Sequence, residues 1–289
     1  MTDRFPGLVD SALFPISIFA LVGAAPALAQ ENPPPPASNR DTVTIGVGAG
    51  IVPSYDGSDD YVFTAAPVAR GSVSGFRFFF RGGPAMFVDL VREESGNTLD
   101  IAAGPVLGVR LDRTSRIKDE QVRALGKLDT AIELGGFVGI GKTGVLTSPY
   151  DNLSFRVSYQ RDVANAHDSY VITPAIEYGT PLSMKTFVGI AASANYVGGK
   201  YARYYFDVTP GGSLASGLDP YQTDDGGFKN VSFTLFAAHA LSDSLLSGTT
   251  VFAGANYSRL LGKFADSPIV ADAGSPNQFM GFVGIGYTF

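Results

Sequence analysis

The sequence predicts an all-β protein, a closed antiparallel transmembrane β-barrel of about twelve strands preceded by a signal peptide, and three observations carry that expectation. Apolar residues alternate with glycine or polar residues in one segment of about ten residues after another. A single run, residues 11–29, is long and apolar enough to cross a bilayer as a helix, and it sits at the N-terminus. Spanning helices therefore do not account for a chain that is 45% hydrophobic and only 17% charged. The last alternating segment ends on an aromatic residue, Phe289, with Val283, Ile285 and Tyr287 on the same parity.

Taken in order, residues 1–29 read as an export signal. An apolar centre over 12–25 is broken by Pro26 and followed by the small-x-small tripeptide Ala27-Leu28-Ala29, so cleavage would leave Gln30 first. The segment departs from the usual signal at its start, where Arg4 is opposed by Asp3 and Asp10. Residues 30–40, with four consecutive prolines from Pro33 to Pro36, cannot join a ladder because proline has no amide donor. They form a polyproline-type periplasmic tether with a reach of roughly 30 Å, either a spacer that keeps the cleavage site accessible or a docking arm. The barrel occupies 41–289.

Twelve segments show the period of two: 41–51, 61–71, 75–81, 85–91, 98–111, 128–140, 152–162, 169–178, 186–196, 228–238, 250–261 and 278–289. In the first, Val43, Ile45, Val47, Ala49 and Ile51 share one face, and Thr44, Gly46, Gly48 and Gly50 the other. Connections 52–60, 112–127, 197–227 and 262–277 are long, whereas 72–74, 92–97 and 179–185 are shorter. With an even strand count and both termini periplasmic, the long set is extracellular. The short turn 82–84 and the longer periplasmic links 142–151 and 239–249 are exceptions. Lipid cannot satisfy an open sheet edge, so a spanning sheet must close on itself with its apolar face outward.

Several function classes are excluded by composition. The chain contains no cysteine, hence no disulfide, thiolate nucleophile or thiolate metal site. A net charge of −6 lacks the basic face that nucleic acid requires.

The order of several motifs is similar to the MipA/OmpV family of outer-membrane proteins, over almost all of the mature chain. These are Tyr55-Asp56-Gly57-Ser58-Asp59-Asp60-Tyr61, Leu134-Gly135-Gly136-Phe137-Val138-Gly139 and Tyr204-Tyr205-Phe206-Asp207-Val208-Thr209. Ser216-Gly217-Leu218 and the region of Tyr221 follow, then Tyr257, Leu260-Leu261-Gly262, Ala265-Asp266-Ser267-Pro268-Ile269-Val270 and Gly274-Ser275-Pro276-Asn277-Gln278-Phe279. Asp207 stands where the family commonly has glycine, and Ala166-His167-Asp168-Ser169 replaces a more usual Gly-His-Asp-Gly turn. The resemblance implies a scaffold that bridges a lytic transglycosylase and a peptidoglycan synthase. It also covers members linked to adhesion or envelope stress.

Candidate chemistry is sparse. His167-Asp168-Ser169 has the His-x-Ser spacing of outer-membrane phospholipases but lacks their Asn-Gly continuation, and falls at an expected extracellular turn. His239 reads as an interfacial residue. Asp56, Ser58 and Asp60 alternate like the start of a calcium loop without the distal glutamate, so a solvated acidic loop is expected. No catalytic residue, metal or cofactor is expected. By parity Arg77, Arg81, Arg110 and Arg156 point into the lumen with Asp89, Asp100, Glu133 and Glu177. Balanced signs suit a lumen closed by paired charges better than a selective pore, which shows an excess of one sign; a small-solute channel is the alternative. The face Val283, Ile285, Tyr287 and Phe289 reads as the recognition strand for the barrel assembly machinery, and outer-membrane lipid is the remaining partner.

Overall fold

The computed structural model describes residues 41–80, 85–92 and 98–289; the export signal at 1–29, the tether at 30–40 and Arg81 lie outside the described residues. Among the described residues twelve strands close into one antiparallel barrel in which each strand bonds its sequence neighbours. β1 (Thr42–Pro53) and β12 (Asn277–Thr288) form the closing seam, from Thr44 opposite Thr288 to Ile51 opposite Gly281. Between them lie β2 (Tyr61–Val73), β3 (Phe76–Phe80), β4 (Ala85–Asp89), β5 (Leu99–Arg110), β6 (Ala131–Thr143) and β7 (Asn152–Asp162). The series continues with β8 (Tyr170–Pro181), β9 (Thr186–Val197), β10 (Gly227–Ala240) and β11 (Gly248–Leu260). Each falls on one of the twelve alternating segments.

Exposure settles which parity faces out. Ile45, Phe233, Leu235 and Val283 are 56–62% exposed, whereas Thr44, Gly46 and Gly284 of the other parity are only partly so. A soluble two-sheet protein would bury that apolar face; here strand after strand turns it outward, as a lipid-facing barrel requires. The inner wall is glycine-rich because large rings lie across it: a Cβ at Gly284 would overlap the Phe252 ring, and one at Gly254 the Phe282 ring. The opposite arc is filled by Phe87, Val106 and Phe137, with Phe79 stacked on Phe87 at 5.3 Å.

The two mouths differ. One carries Thr42 at the start of β1, the end of β12 and short turns such as the Ser74-Gly75 link between β2 and β3. The other carries the long connections, and these fold instead of extending into solvent. α1 (Glu120–Ala124) starts at Asp119, whose carboxylate accepts the Val122 N–H at 2.8 Å. α2 (Gly199–Phe206) and α3 (Pro210–Ser216) share the β9–β10 connection, and α4 (Pro268–Ala271) lies in the last one. α3 shows why such short helices form: Thr209 caps the Gly212 N–H at 3.0 Å, Pro210 opens the first turn, and Gly217 closes it at φ 77°.

Packing joins these connections into a lid. Tyr201, Tyr205 and Phe206 bury against Leu260, Phe264 and Val270, while Tyr55, Ile117, Val122, Leu218 and Ile269 form a second buried cluster. The loop around Asp56 corrects the expectation of a solvated acidic loop: Ser58 is fully buried, and the Gln278 amide donates to its carbonyl at 3.0 Å. Short turns are the periplasmic ones in outer-membrane barrels, so the lid is expected on the extracellular side. An epitope inserted at Ser213, beside Leu214 (91% exposed), is therefore expected to bind antibody on intact cells. Labelling only after permeabilisation would reverse the orientation.

Candidate functional site

The inward charges lie on β3 to β8 and meet across neighbouring strands. Register places Arg77 opposite Asp89, and its guanidinium reaches Asp89 at 2.6 Å and Asp100 at 2.8 Å. Asp89 is almost wholly buried; its other oxygen accepts the backbone N–H groups of Val91 and Ala103 at 3.0 and 3.1 Å. In this way the carboxylate supplies acceptors where the short β4 stops pairing. Arg110 grips Glu133 with two parallel bonds, 2.9 and 3.1 Å. Arg156 pairs with Glu177 at 3.0 Å, and its guanidinium carbon lies 4.8 Å from the Phe87 ring centre. Burial makes the Asp89 and Glu133 pairs matter most, because a buried carboxylate stripped of its partner in low dielectric has no water to replace it.

His167 sits differently from the exposed turn that the sequence suggests. It is 2% exposed, and its Nδ1 accepts the Ser169 backbone N–H at 3.2 Å. That bond assigns the proton of the neutral ring to Nε2, which donates to Glu133 at 3.2 Å. The ring meets Tyr201 edge-on at 5.0 Å. Asp162 accepts the N–H groups of Ala164, His167 and Asp168, so the turn is folded onto the barrel mouth. The contact between His167 and Ser169 runs to a backbone amide, which is not the geometry of a base activating a hydroxyl. His239 is exposed, with Nδ1 at 2.9 Å from the Thr186 hydroxyl.

A polar cluster that sequence reasoning missed locks the lid to the barrel. Lys229, at the start of β10 and nearly buried, is ion-paired with Asp56, and the Asp56 N–H donates to Asp112 at 2.9 Å. Burial, together with the neighbouring Asp56 charge, pushes the Asp112 carboxyl above its ordinary range. Burial likewise drives the Tyr201 and Tyr205 phenols up, so they remain neutral. Tyr201 and Tyr205, one helical turn apart in a long connection, were the available signal. Among the described residues no group of three or more His, Asp or Glu is placed to hold a metal ion, and Asp56 is engaged by Lys229.

At the opposite mouth the turns are tied to one another. Thr147 in the β6–β7 turn bonds the Tyr178 hydroxyl at 2.6 Å, Ala240 donates to Lys185 at 2.7 Å, and Leu245 donates to Met184 at 3.1 Å. Asp151 organises the first of these turns. Burial pushes its carboxyl up, but N–H donors from Thr147, Val145 and Leu146 and the Tyr178 hydroxyl outweigh this and hold it well below the usual carboxylate range. The joined turns present Leu146, Leu182, Leu241 and Leu246, each 52–71% exposed. On β12, Val283, Ile285 and Tyr287 face outward at 47–62% exposure. Phe289, just past the strand, donates its N–H to Val43 at 2.9 Å, with its ring 4.9 Å from Tyr287.

The family model for MltA-interacting protein MipA matches residues 45–289. No curated protein matches the sequence. Among solved structures, an outer membrane channel from Pseudomonas putida F1 aligns with 10% identity and a TM-score of 0.38, over 86% of this chain and 95% of that one. The CymD monoaromatic hydrocarbon channel gives 11%, 0.34, 86% and 88%, and a Pseudomonas aeruginosa FadL homologue 8%, 0.33, 86% and 90%, in the same order. These likenesses are weak, and the fold rests on the strand pairing itself.

Proposed function

The chain belongs to the MltA-interacting protein MipA family, and from that premise we propose that it is a non-enzymatic outer-membrane scaffold whose periplasmic mouth holds cell-wall enzymes. It is an outer-membrane β-barrel protein, with an apolar exterior that only lipid can cover. The observation that carries the scaffold reading is the asymmetry of the mouths. The extracellular end is closed by packed connections, while the periplasmic end is a ledge of cross-bonded turns with exposed leucines. A ledge that is already ordered loses little entropy on docking a partner. The family description, an MltA-interacting protein, supports a lytic transglycosylase as the partner class, and we infer a peptidoglycan synthase recruited through it.

A photo-crosslinking residue at Ser183, in the β8–β9 turn, is expected to capture peptidoglycan-active enzymes in intact cells, whereas one at Ser213 is not. Equal capture from both positions, or none from Ser183, would defeat the scaffold reading. A second reading, a small-solute channel, is favoured by one feature. Phe187, Phe236, Phe252 and Phe282 form a continuous inner apolar arc, with neighbouring ring centres 6.4–6.5 Å apart. Conductance separates the two.

A further inference from the structure

The barrel exterior is not uniformly covered by large side chains. Pairing aligns Leu235, Ala255, Gly281, Ile51 and Phe63 in one rung across β10, β11, β12, β1 and β2. The two small residues on adjacent strands leave a trough between Leu235 and Ile51, which are about 14 Å apart at the usual strand spacing. Ala253, on the next outward position of β11, extends its floor. The trough is part of an open, mainly apolar depression of about 850 Å³ that runs on past Leu235 to Ile190 and Val188, with Tyr178 and Thr180 as its polar margin.

Two exposed guanidinium groups stand at its loop-bearing end. Arg116, held at φ 56°, reaches from the β5–β6 connection to donate to the Phe63 carbonyl at 2.8 Å. Left-handed backbone is uncommon for a residue of this size, and the bond to Phe63 fixes the guanidinium beside the β2 margin of the trough. Arg259 lies on the exterior face of β11, four residues beyond Ala255, and is fixed by Asn277 at 2.9 Å. Three strand spacings, about 14 Å, separate β11 from β2, and Arg259 also lies four residues, about 13 Å, farther along its strand than the rung that holds Phe63.

We propose that this trough seats the acyl chains of a phosphorylated, multi-acyl glycolipid of the outer leaflet, with its phosphates on Arg116 and Arg259. Two guanidinium groups set apart across one groove match a headgroup carrying two separated anions, whereas a common phospholipid offers one. The same pair of positive charges disfavours a second copy of this chain, since a two-fold contact would bring like charges together. The inference rests on the extracellular placement of the lid and is independent of the periplasmic partner.

The test is native mass spectrometry of the detergent-solubilised, full-length protein titrated with diphosphoryl lipid A or with phosphatidylglycerol. Lipid A is expected to bind about tenfold more tightly. Ala255→Phe, which fills the trough, and the double variant Arg116→Gln/Arg259→Gln are each expected to remove that preference. Val138→Phe, on the exterior of the distant β6, should leave it intact. Equal binding of the two lipids by the native protein would overturn the proposal, as would an undiminished preference in Ala255→Phe. So would a change in oligomeric state in Ala255→Phe with lipid binding unaltered, which would assign the trough to a second copy. Gel migration of the unheated variants shows whether each barrel is folded before its lipid binding is compared.

Discussion

Replacing Arg110 by alanine is expected to destabilise the barrel by about 3–5 kcal/mol, the cost of leaving a buried carboxylate without its ionic partner. Glu133 is 3% exposed. Without Arg110 it would keep only the His167 N–H, which at neutral ring charge does not compensate an anion. The surface pair Arg161–Asp168, with both side chains about half exposed, supplies the comparison. Arg161→Ala should cost under about 1 kcal/mol. Urea unfolding followed by tyrosine fluorescence and by the heat-dependent shift in gel migration measures both. Adding Glu133→Gln to Arg110→Ala should recover part of the loss, because the orphaned charge is removed with its partner. Neutralising Arg156 together with Arg110 should have the largest effect, since it also withdraws the cation from the Phe87 ring and leaves Glu177 unpaired by Arg156. Equal midpoints for Arg110→Ala and Arg161→Ala would mean that the lumen pairs do not hold the wall.

Deleting Phe289 is expected to lower the level of folded protein in the outer membrane several-fold while leaving refolding of purified protein into detergent nearly unchanged. In the folded barrel Phe289 adds one hydrogen bond to the seam and one ring contact, worth about 1–2 kcal/mol together. The outward face Val283, Ile285, Tyr287 and Phe289 is offered as a recognition strand, so its loss should act on assembly in cells more than on stability. Outer-membrane fractions compared with refolding yields separate these effects. Parallel losses in both would assign Phe289 to stability alone.

The barrel was legible in the sequence because period two is a local property. Val43 to Ile51 alternate with Thr44 to Gly50 whatever the partner strand, and the same holds for the eleven segments that follow. Even the two five-residue strands, Phe76–Phe80 and Ala85–Asp89, lie within expected segments. The lid was not legible. Its helices are only four to eight residues long and take their stability from contacts between distant connections, such as Tyr55 with Ile269 or Phe206 with Phe264. Thr209-Pro210 and Ser267-Pro268, each a hydroxyl residue at the N-cap position followed by a first-turn proline, were the local marks of two of them. The lumen charges could be assigned to the interior by parity, but their partners depend on register. Arg77 faces Asp89 directly, while it reaches Asp100 across the intervening β4. Lys229 and Asp56, 173 residues apart, carried no such mark. His167 looked like a turn tip, and only the fold shows it enclosed by Tyr201, Tyr204 and Tyr205.

On the scaffold reading, function resides at the mouths of a closed barrel and not in its lumen. Planar-bilayer recording of the purified protein tests this most directly. The native protein is expected to give no steady conductance, and the Arg110 and Arg156 double variant brief openings as the paired charges release the wall. Stable, salt-dependent channels from the native protein would contradict it and make the inner phenylalanine arc the lining of a working pore.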